Sequence, residues 1–412
     1  MNTYFRKILE EIKPEKLYRE SLTRYFTEQT LDFSEYTGVY VLAIGKAASH
    51  EAKYFMEFVR ERFQTEIQDY LIITKQEHGI DDLEAKTFES SHPYLMEKSF
   101  EAAKLCRNFI NERSKSELVI ALISGGSSAL IEDYDKSQKG QLKEKLNTVL
   151  DSGINIDELN HLRKTFSKVK NGRLLESCKA SVVTFLTSDI PNNNPFLIGS
   201  SPTLFEKISD ERKQELIEKF GFENFQREAE PSDLRLDDKY EILIRYENLM
   251  PICQRHSRGK IRFKQQAYNA LLDEAWKKYC NDIDFNYLNI SFGEFNIEVK
   301  GSGKGGRNTH FVLFMADKIF HQNILNLDQD LLESLVIFSI GTDGGDGPTD
   351  AAGAWVDKKH FSKLNHQSYL KNFDSYTYFE KVGTLIKSGP TGTNLMDLRG
   401  IGPKELIDHL ND

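Results

Sequence analysis

Cysteine is scarce in this 412-residue chain: Cys106, Cys178, Cys253 and Cys280 lie far apart and form no C-x-x-C pair. This argues against a disulfide framework or a cysteine-bound zinc, and it fits reduced thiols in a cytoplasmic protein. Long apolar runs are missing too. No stretch approaches eighteen residues, so no transmembrane helix and no membrane partner are expected. The first residues, "MNTYFRKILEEIKPEKLYRE", are amphipathic and charged and lack the apolar core of a signal peptide. Positive charge is in deficit, with 54 Lys and Arg against 63 Asp and Glu and a net charge of −9. Such a chain does not attract a phosphate backbone, so no nucleic-acid partner is expected, and an anionic ligand must be held by a few local donors. The Walker A spacing, His–Glu-x-x-His and G-x-S-x-G are absent, and no G-x-G-x-x-G follows the first apolar strand pattern. His50, His78, His92, His161 and His310 are dispersed without metal-ligand spacing.

What remains is a globular composition, 39% hydrophobic and 28% charged, on a length that suits two or three domains. Short apolar runs alternate with helical patterns. "VYVLAIG", "DYLIIT", "ELVIALISGG" and "ASVVTFLTSDIP" read as buried strands, and the helical patterns between them include "DELNHLRKTFSKVKNGRLLESC". That rhythm predicts βαβ units and a mainly parallel, Rossmann-like α/β sheet covered by helices on both faces. The charged stretch "REAEPSDLRLDD" reads as a linker. A second α/β segment follows it: a strand at "YEILIR", a helix through "FKQQAYNALLDEAWKKYC", and strands at "NYLNISFGEFNIEV" and "LVIFSIG". The expected domains are therefore 1–235 and 236–412.

The loops after the strands are the informative feature, because open parallel sheets bind ligands beyond the carboxyl ends of their strands. In "AIGKAA", Gly45 permits a tight turn and places Lys46 at a helix start, where it can face an anion or simply be a surface lysine. In "SGGSSAL", the backbone at Gly125 and Gly126 and the hydroxyls of Ser124, Ser127 and Ser128 can cradle phosphate or carboxylate, or form a plain turn. In "TSDIP", Asp189 can accept a hydroxyl proton, bind a metal or cap a turn. "GSGKGGRN" combines little bulk with Lys304 and Arg307, which suits an anion clamp or a basic hairpin. "GTDGGDGPTDAAG" carries Asp343, Asp346 and Asp350. The carboxylate spacing does not match a calcium loop. "PTDAAGA" reads as a helix entry with Thr349 or Asp350 in its first turn.

In the same order, "AIGKAA", "SSHP", "LISGGSSAL", "LRKTFSKVKNGRLLE", "TSDIP", "GSSPT", "GKGGRN", "GTDGGDGPTDAAGA" and "SGPTGTNLMDLRGIG" resemble the class II glycerate kinases, glycerate 2-kinases with a MOFRL-type C-terminal domain. The resemblance spans most of the chain. It implies two α/β domains with the active site in the cleft between them, and transfer of the ATP γ-phosphoryl group to the 2-hydroxyl of D-glycerate with Mg2+. The family's functional lysine, strand-end aspartate and loop arginine correspond to Lys46, Asp189 and Arg307. The reading that follows places phosphates and substrate at Gly45, Ser124, Gly125, Gly126, Ser127, Ser128, Lys304, Gly305, Gly306, Asn308, Thr342 and Asn394, and metal at Asp343 and Asp346. Its partners are small molecules, with a homodimer as the assembly to test. The chain departs from the family pattern at Ser127, where a glycine is usual, through residues 192–201, and at Thr309-His310, where Gln-Glu is usual. The acceptor is thus D-glycerate or a related hydroxy acid. Two other readings stay open: an NAD(P)H-dependent hydroxypyruvate reductase, and a non-catalytic protein that binds a sugar acid or nucleotide.

Overall fold

Six short runs build one parallel sheet. The computed structural model describes residues 2–29, 31–152, 154–230, 239–264, 270–281 and 283–407. Strands β1 (Gly38–Ile44), β2 (Asp69–Lys75), β3 (Thr87–Ser90), β4 (Glu117–Ile123), β5 (Ser181–Thr187) and β6 (Lys239–Ile244) pair in the order β3-β2-β1-β4-β5-β6. Every pair is parallel. β1 and β4 are apolar on both faces because helices cover the sheet. The helix Ala48–Phe63 shows the logic: it buries Ala48, Ala52, Phe55 and Val59 along one stripe, and each larger apolar side chain so placed contributes roughly 1.5–3 kcal/mol. The strand order reverses between β1 and β4, which makes the loops after these two strands the switch point where α/β sheets bind ligands.

A second, mixed sheet has the order β11-β10-β9-β12-β8-β7. Its strands are β7 (Ile261–Phe263), β8 (Leu288–Gly293), β9 (Leu335–Gly341), β10 (Gly353–Asp357), β11 (Leu385–Ile386) and β12 (Asp397–Pro403). β12 runs antiparallel to both β8 and β9, with Asp397 opposite Gly293 and Gly341. The first residue of β12 therefore meets the last residues of its neighbours. The helix Arg307–Ala316, buried from Asn308 onward, packs into a core with Leu335, Ile337, Val356 and Phe379.

The chain divides into two compact units, one of residues 18–189 and 193–245, the other of residues 1–17, 190–192 and 246–412. This differs from the expected domains at both ends. The anticipated boundary near residue 235 lies outside the described residues. "YEILIR" belongs to the parallel sheet, because β6 pairs with β5. The first seventeen residues belong with the mixed sheet, where Phe5 packs its ring 4.9 Å from that of Phe338 on β9.

Four local expectations are also corrected. The helix after "NIDELNH" ends at Phe166, and the chain then turns so that Arg173 can donate to the carbonyls of Lys164, Ser167 and Lys170. "FKQQAYNALLDEAWKKYC" starts in β7, crosses residues outside the described set, and is helical over Leu272–Asn281. "NIEV" is no strand; only a bridge from Asn296 to Leu271 forms there. The helix entry expected at "PTDAAGA" is instead followed directly by β10, where Gly353 lies so close to the Ser339 carbonyl that no Cβ fits.

Candidate active site

The switch-point loops are laced together before any ligand is considered. Lys46 donates its N–H to the Gly125 carbonyl at 2.9 Å, and Ser124 donates to Ile44 at 3.0 Å. Gly45 sits at φ +147°, with Ser124 filling the space a Cβ would need. Gly125 and Gly126 carry the chemistry's surroundings. The Asp189 carboxyl occupies the place of a Cβ on Gly125. At Gly126, with φ +86°, a Cβ would lie 3.0 Å from the Lys46 side chain and 3.2 Å from the His92 ring. The Gly125 and Gly126 amides have no partner among the described residues. Lys46, His92 and Asp189 thus converge on bare backbone.

The electrostatics agree with an anion site. Burial, then Lys46, Lys75, Arg163 and His78, hold the His92 imidazolium down to about 3. Neutral His92 can hydrogen-bond without adding to the positive field. Desolvation raises the Asp189 carboxyl above its usual range, and the Lys46 charge opposes that rise.

The serines are a correction. Ser124 and Ser127 turn their hydroxyls into the interior, where neither has a hydrogen-bond partner. Ser127 fills the space left by the missing Cβ of Gly199. Ser128 is engaged by buried Arg163, whose Nη1 donates to its Oγ at 2.9 Å. The loop is held from below by buried Lys170, which donates to the carbonyls of Ser127 at 3.2 Å and Ile131 at 2.6 Å.

Glu51 lies under the same loops, 2% exposed, and neither carboxylate oxygen has a hydrogen-bond partner. Burial lifts its pKa from 4.5 to about 7, while the hydroxyls of Thr187 and Ser124 approach without good hydrogen-bond geometry and offset a part. Between those values the folded chain holds more protons than the unfolded one, so stability falls as pH rises through that window. Glu51→Gln cannot ionise. Relative to the parent it should gain about 2–3 kcal/mol between pH 5 and pH 8. Urea unfolding of both proteins at the two pH values checks this; parallel pH slopes would exclude Glu51 as the titrating group.

In the mixed-sheet unit, antiparallel β12 brings Asp397 to the start of the helix Arg307–Ala316. Arg307 donates through Nε to Asp397 Oδ2 at 2.7 Å, and through Nη2 to Asp397 Oδ1 and Glu294 Oε1, both at 3.0 Å. Its Nη1 has no partner among the described residues. Burial alone would lower the Arg307 pKa; Asp397, Glu294 and Asp343 outweigh it and raise it. Asn308 donates to Asp397 and accepts from Ser339, so its amide is a connector rather than a substrate contact.

The two aspartates expected to hold metal differ. Buried Asp346 accepts the N–H groups of Asn308 at 2.7 Å and Thr309 at 2.9 Å, one on each oxygen, and so anchors the helix N-terminus. Exposed Asp343 has one oxygen engaged, by the Gly345 amide at 3.0 Å, and its charge acts on Arg307. Other expected contacts prove to be framework. Buried Thr342 uses its hydroxyl on the Met396 carbonyl and the Leu395 amide. Asn394 accepts from Met396. Gly305 and Gly306 make room for Ser375 and Asp346. The Lys304 ammonium lies 3.9 Å from the centre of the Tyr376 ring. Asp350 receives the Tyr376 hydroxyl and pairs with Lys387.

Reasoning from strand-end loops missed Arg163, Lys170, Glu51, Glu294 and Asp397. Asp397 stands within "GTNLMDLRG" and Arg163 and Lys170 within "LRKTFSKVKNGR", so both stretches were visible as motifs while the partners of these residues were not.

Residues 1–231 match the family described as Domain of unknown function (DUF4147), and residues 287–397 match the MOFRL family. The chain is 28% identical over 425 residues to a D-glycerate 2-kinase from Thermotoga maritima, covering 95% of each chain. It is 29% identical over 399 residues to a glycerate 2-kinase from Pyrococcus horikoshii, covering 87% of this chain and 85% of the relative. The crystal structure of a Thermotoga maritima glycerate kinase superimposes with a TM-score of 0.79 at 26% identity, covering 97% of both chains. With both families matched in sequence order and the likeness running nearly end to end, the chain belongs to the glycerate 2-kinase family, a DUF4147 domain followed by a MOFRL domain.

Proposed function

We propose that the chain transfers the γ-phosphoryl group of ATP to the 2-hydroxyl of D-glycerate or a closely related hydroxy acid, in the cytoplasm. The observation that carries this reading is the meeting of Lys46, His92 and Asp189 over the bare Gly125–Gly126 backbone at the switch point of the parallel sheet. Phosphoryl transfer asks for positioning and charge stabilisation. Lys46 and the two glycine amides supply donors for an anionic group, and neutral His92 adds one more hydrogen bond. Asp189 orients the acceptor hydroxyl and takes its proton as the new O–P bond forms and ADP leaves. Arg307, fixed by two carboxylates, presents Nη1 to phosphate oxygens.

In the mixed-sheet unit, the residue that suits magnesium is Asp343. A hard cation that shares phosphate oxygens needs one or two protein carboxylates, and Asp343 keeps an oxygen clear of protein contacts. Asp346, with an amide on each oxygen, fits less well. The ion, when bound, would neutralise phosphate charge.

Full-length protein with ATP, magnesium and D-glycerate should release ADP and 2-phosphoglycerate in equal amounts, as read by phosphorus NMR. Calorimetric binding without turnover across a panel of hydroxy acids would instead favour a binding protein. Lys46→Ala should lower kcat/KM by about 100-fold. Its unfolding midpoint should stay near the parent value, because the side chain is half-buried and makes no ion pair among the described residues.

A further inference from the structure

A second cluster lies elsewhere in the mixed-sheet unit. The helix Arg307–Ala316 widens at its end into a π-helical turn, Asp317–His321; such turns recur at functional sites. Asp317 is 6% exposed. Gln322 donates to its Oδ2 at 2.6 Å, which aims Oδ1 the other way. There His366 Nε2 stands 2.7 Å and His321 Nδ1 3.1 Å from the same oxygen. All three ligand atoms lie within 4.8 Å of one another.

The nearest fixed cation does not neutralise this carboxylate well. Lys318 Nζ is 3.9 Å from Oδ2 and lies 5.2 Å from the centre of the Phe314 ring and 5.4 Å from that of Trp276. The closest partners of this largely buried carboxylate are therefore the Gln322 amide and the two imidazoles. Tetrahedral zinc bonds of about 2.0–2.1 Å put ligand atoms about 3.3 Å apart. The Asp317 oxygen is already near that distance from both imidazoles, at 2.7 and 3.1 Å, and the two imidazole nitrogens, within 4.8 Å of each other, must close by at most about 1.5 Å, which rotation of the half-exposed His321 side chain supplies. His366 is held against the Phe361 ring, with centroids 4.5 Å apart, so one ligand is already fixed. The His321 side chain is 48% exposed, which leaves an entry path and an open position for water.

We propose that Asp317, His321 and His366 form a binding site for one divalent transition-metal ion of the zinc class, separate from the phosphoryl-transfer residues. Each imidazole would bind the ion through the lone pair of the ring nitrogen that faces Asp317, with its hydrogen on the other ring nitrogen. It would tie the end of the Arg307–Ala316 helix to the segment before Gln367–Lys371.

The test uses chelator-stripped full-length protein without nucleotide. Zinc titrated by calorimetry should bind with one equivalent at this site. Cobalt should give the intense visible absorption of a four- or five-coordinate nitrogen–oxygen site, unlike the weak spectrum of an octahedral oxygen site. His321→Ala, at a half-exposed position, should fold normally and weaken binding by at least about 100-fold. His360→Ala, which removes a different aspartate-paired histidine, should leave it unchanged. Absence of the cobalt band and of stoichiometric zinc binding in folded parent protein overturns the proposal. So does equal binding in His321→Ala and Asp317→Asn.

Discussion

Asp189→Asn is expected to lower kcat by about 10²–10⁴, the usual worth of a positioned proton acceptor, with little change in KM for ATP. Asparagine keeps the shape beside Gly125 but cannot take the hydroxyl proton. The substitution should not weaken the fold, because burial already disfavours the ionised carboxyl, as its raised pKa records. The pH profile separates chemistry from structure. The parent must have Asp189 ionised to act as base, so its rate should fall as pH drops through that raised pKa, and the acidic limb should be missing from the variant's residual activity. Parental turnover with an unchanged acidic limb in Asp189→Asn would assign the proton acceptor elsewhere.

Arg307→Ala should act on both rate and stability. On the role proposed for Arg307, loss of the guanidinium should lower kcat by about 10³. It also leaves Asp397, 1% exposed, without its cationic partner. Removing one member of a buried pair costs about 3 kcal/mol. Arg307→Lys restores the charge but not the fork that reaches both oxygens of Asp397. It should recover part of the stability and little of the rate. Steady-state kinetics beside urea unfolding of the three proteins distinguish the effects, and an Arg307→Ala protein with normal turnover would place Arg307 in the framework alone.

The parallel sheet was legible because strands covered on both faces must be apolar throughout, and β1, β2, β4 and β5 are written that way. The loops were legible because Lys46 and Arg307 directly follow glycines and Asp189 directly follows an apolar run. Short strands such as β3, β7 and β11 carry too few residues for a period to show. "PTDAAGA" reads as a helix entry because nothing local reveals that Gly353 lies against Ser339 across the sheet. The serines of "SGGSSAL" misled for a similar reason: composition counts hydroxyls but does not aim them, and packing against Gly199 and Gly45 turned two of them inward.

By itself, then, the sequence determined the α/β class, the sites of close backbone approach, and the strand-end residues that bear charge. Those follow from local rules of period, glycine freedom and strand termination. Only the tertiary structure decided which charges meet. Antiparallel pairing delivers Asp397 to Arg307, although ninety residues separate them. Packing gives Arg163 and Lys170 their partners, and burial raises the pKa of Glu51. Helix capping engages both oxygens of Asp346 with the N–H groups of Asn308 and Thr309. Coulomb and hydrogen-bond energies depend on distance and desolvation, which the order of residues along a chain does not specify.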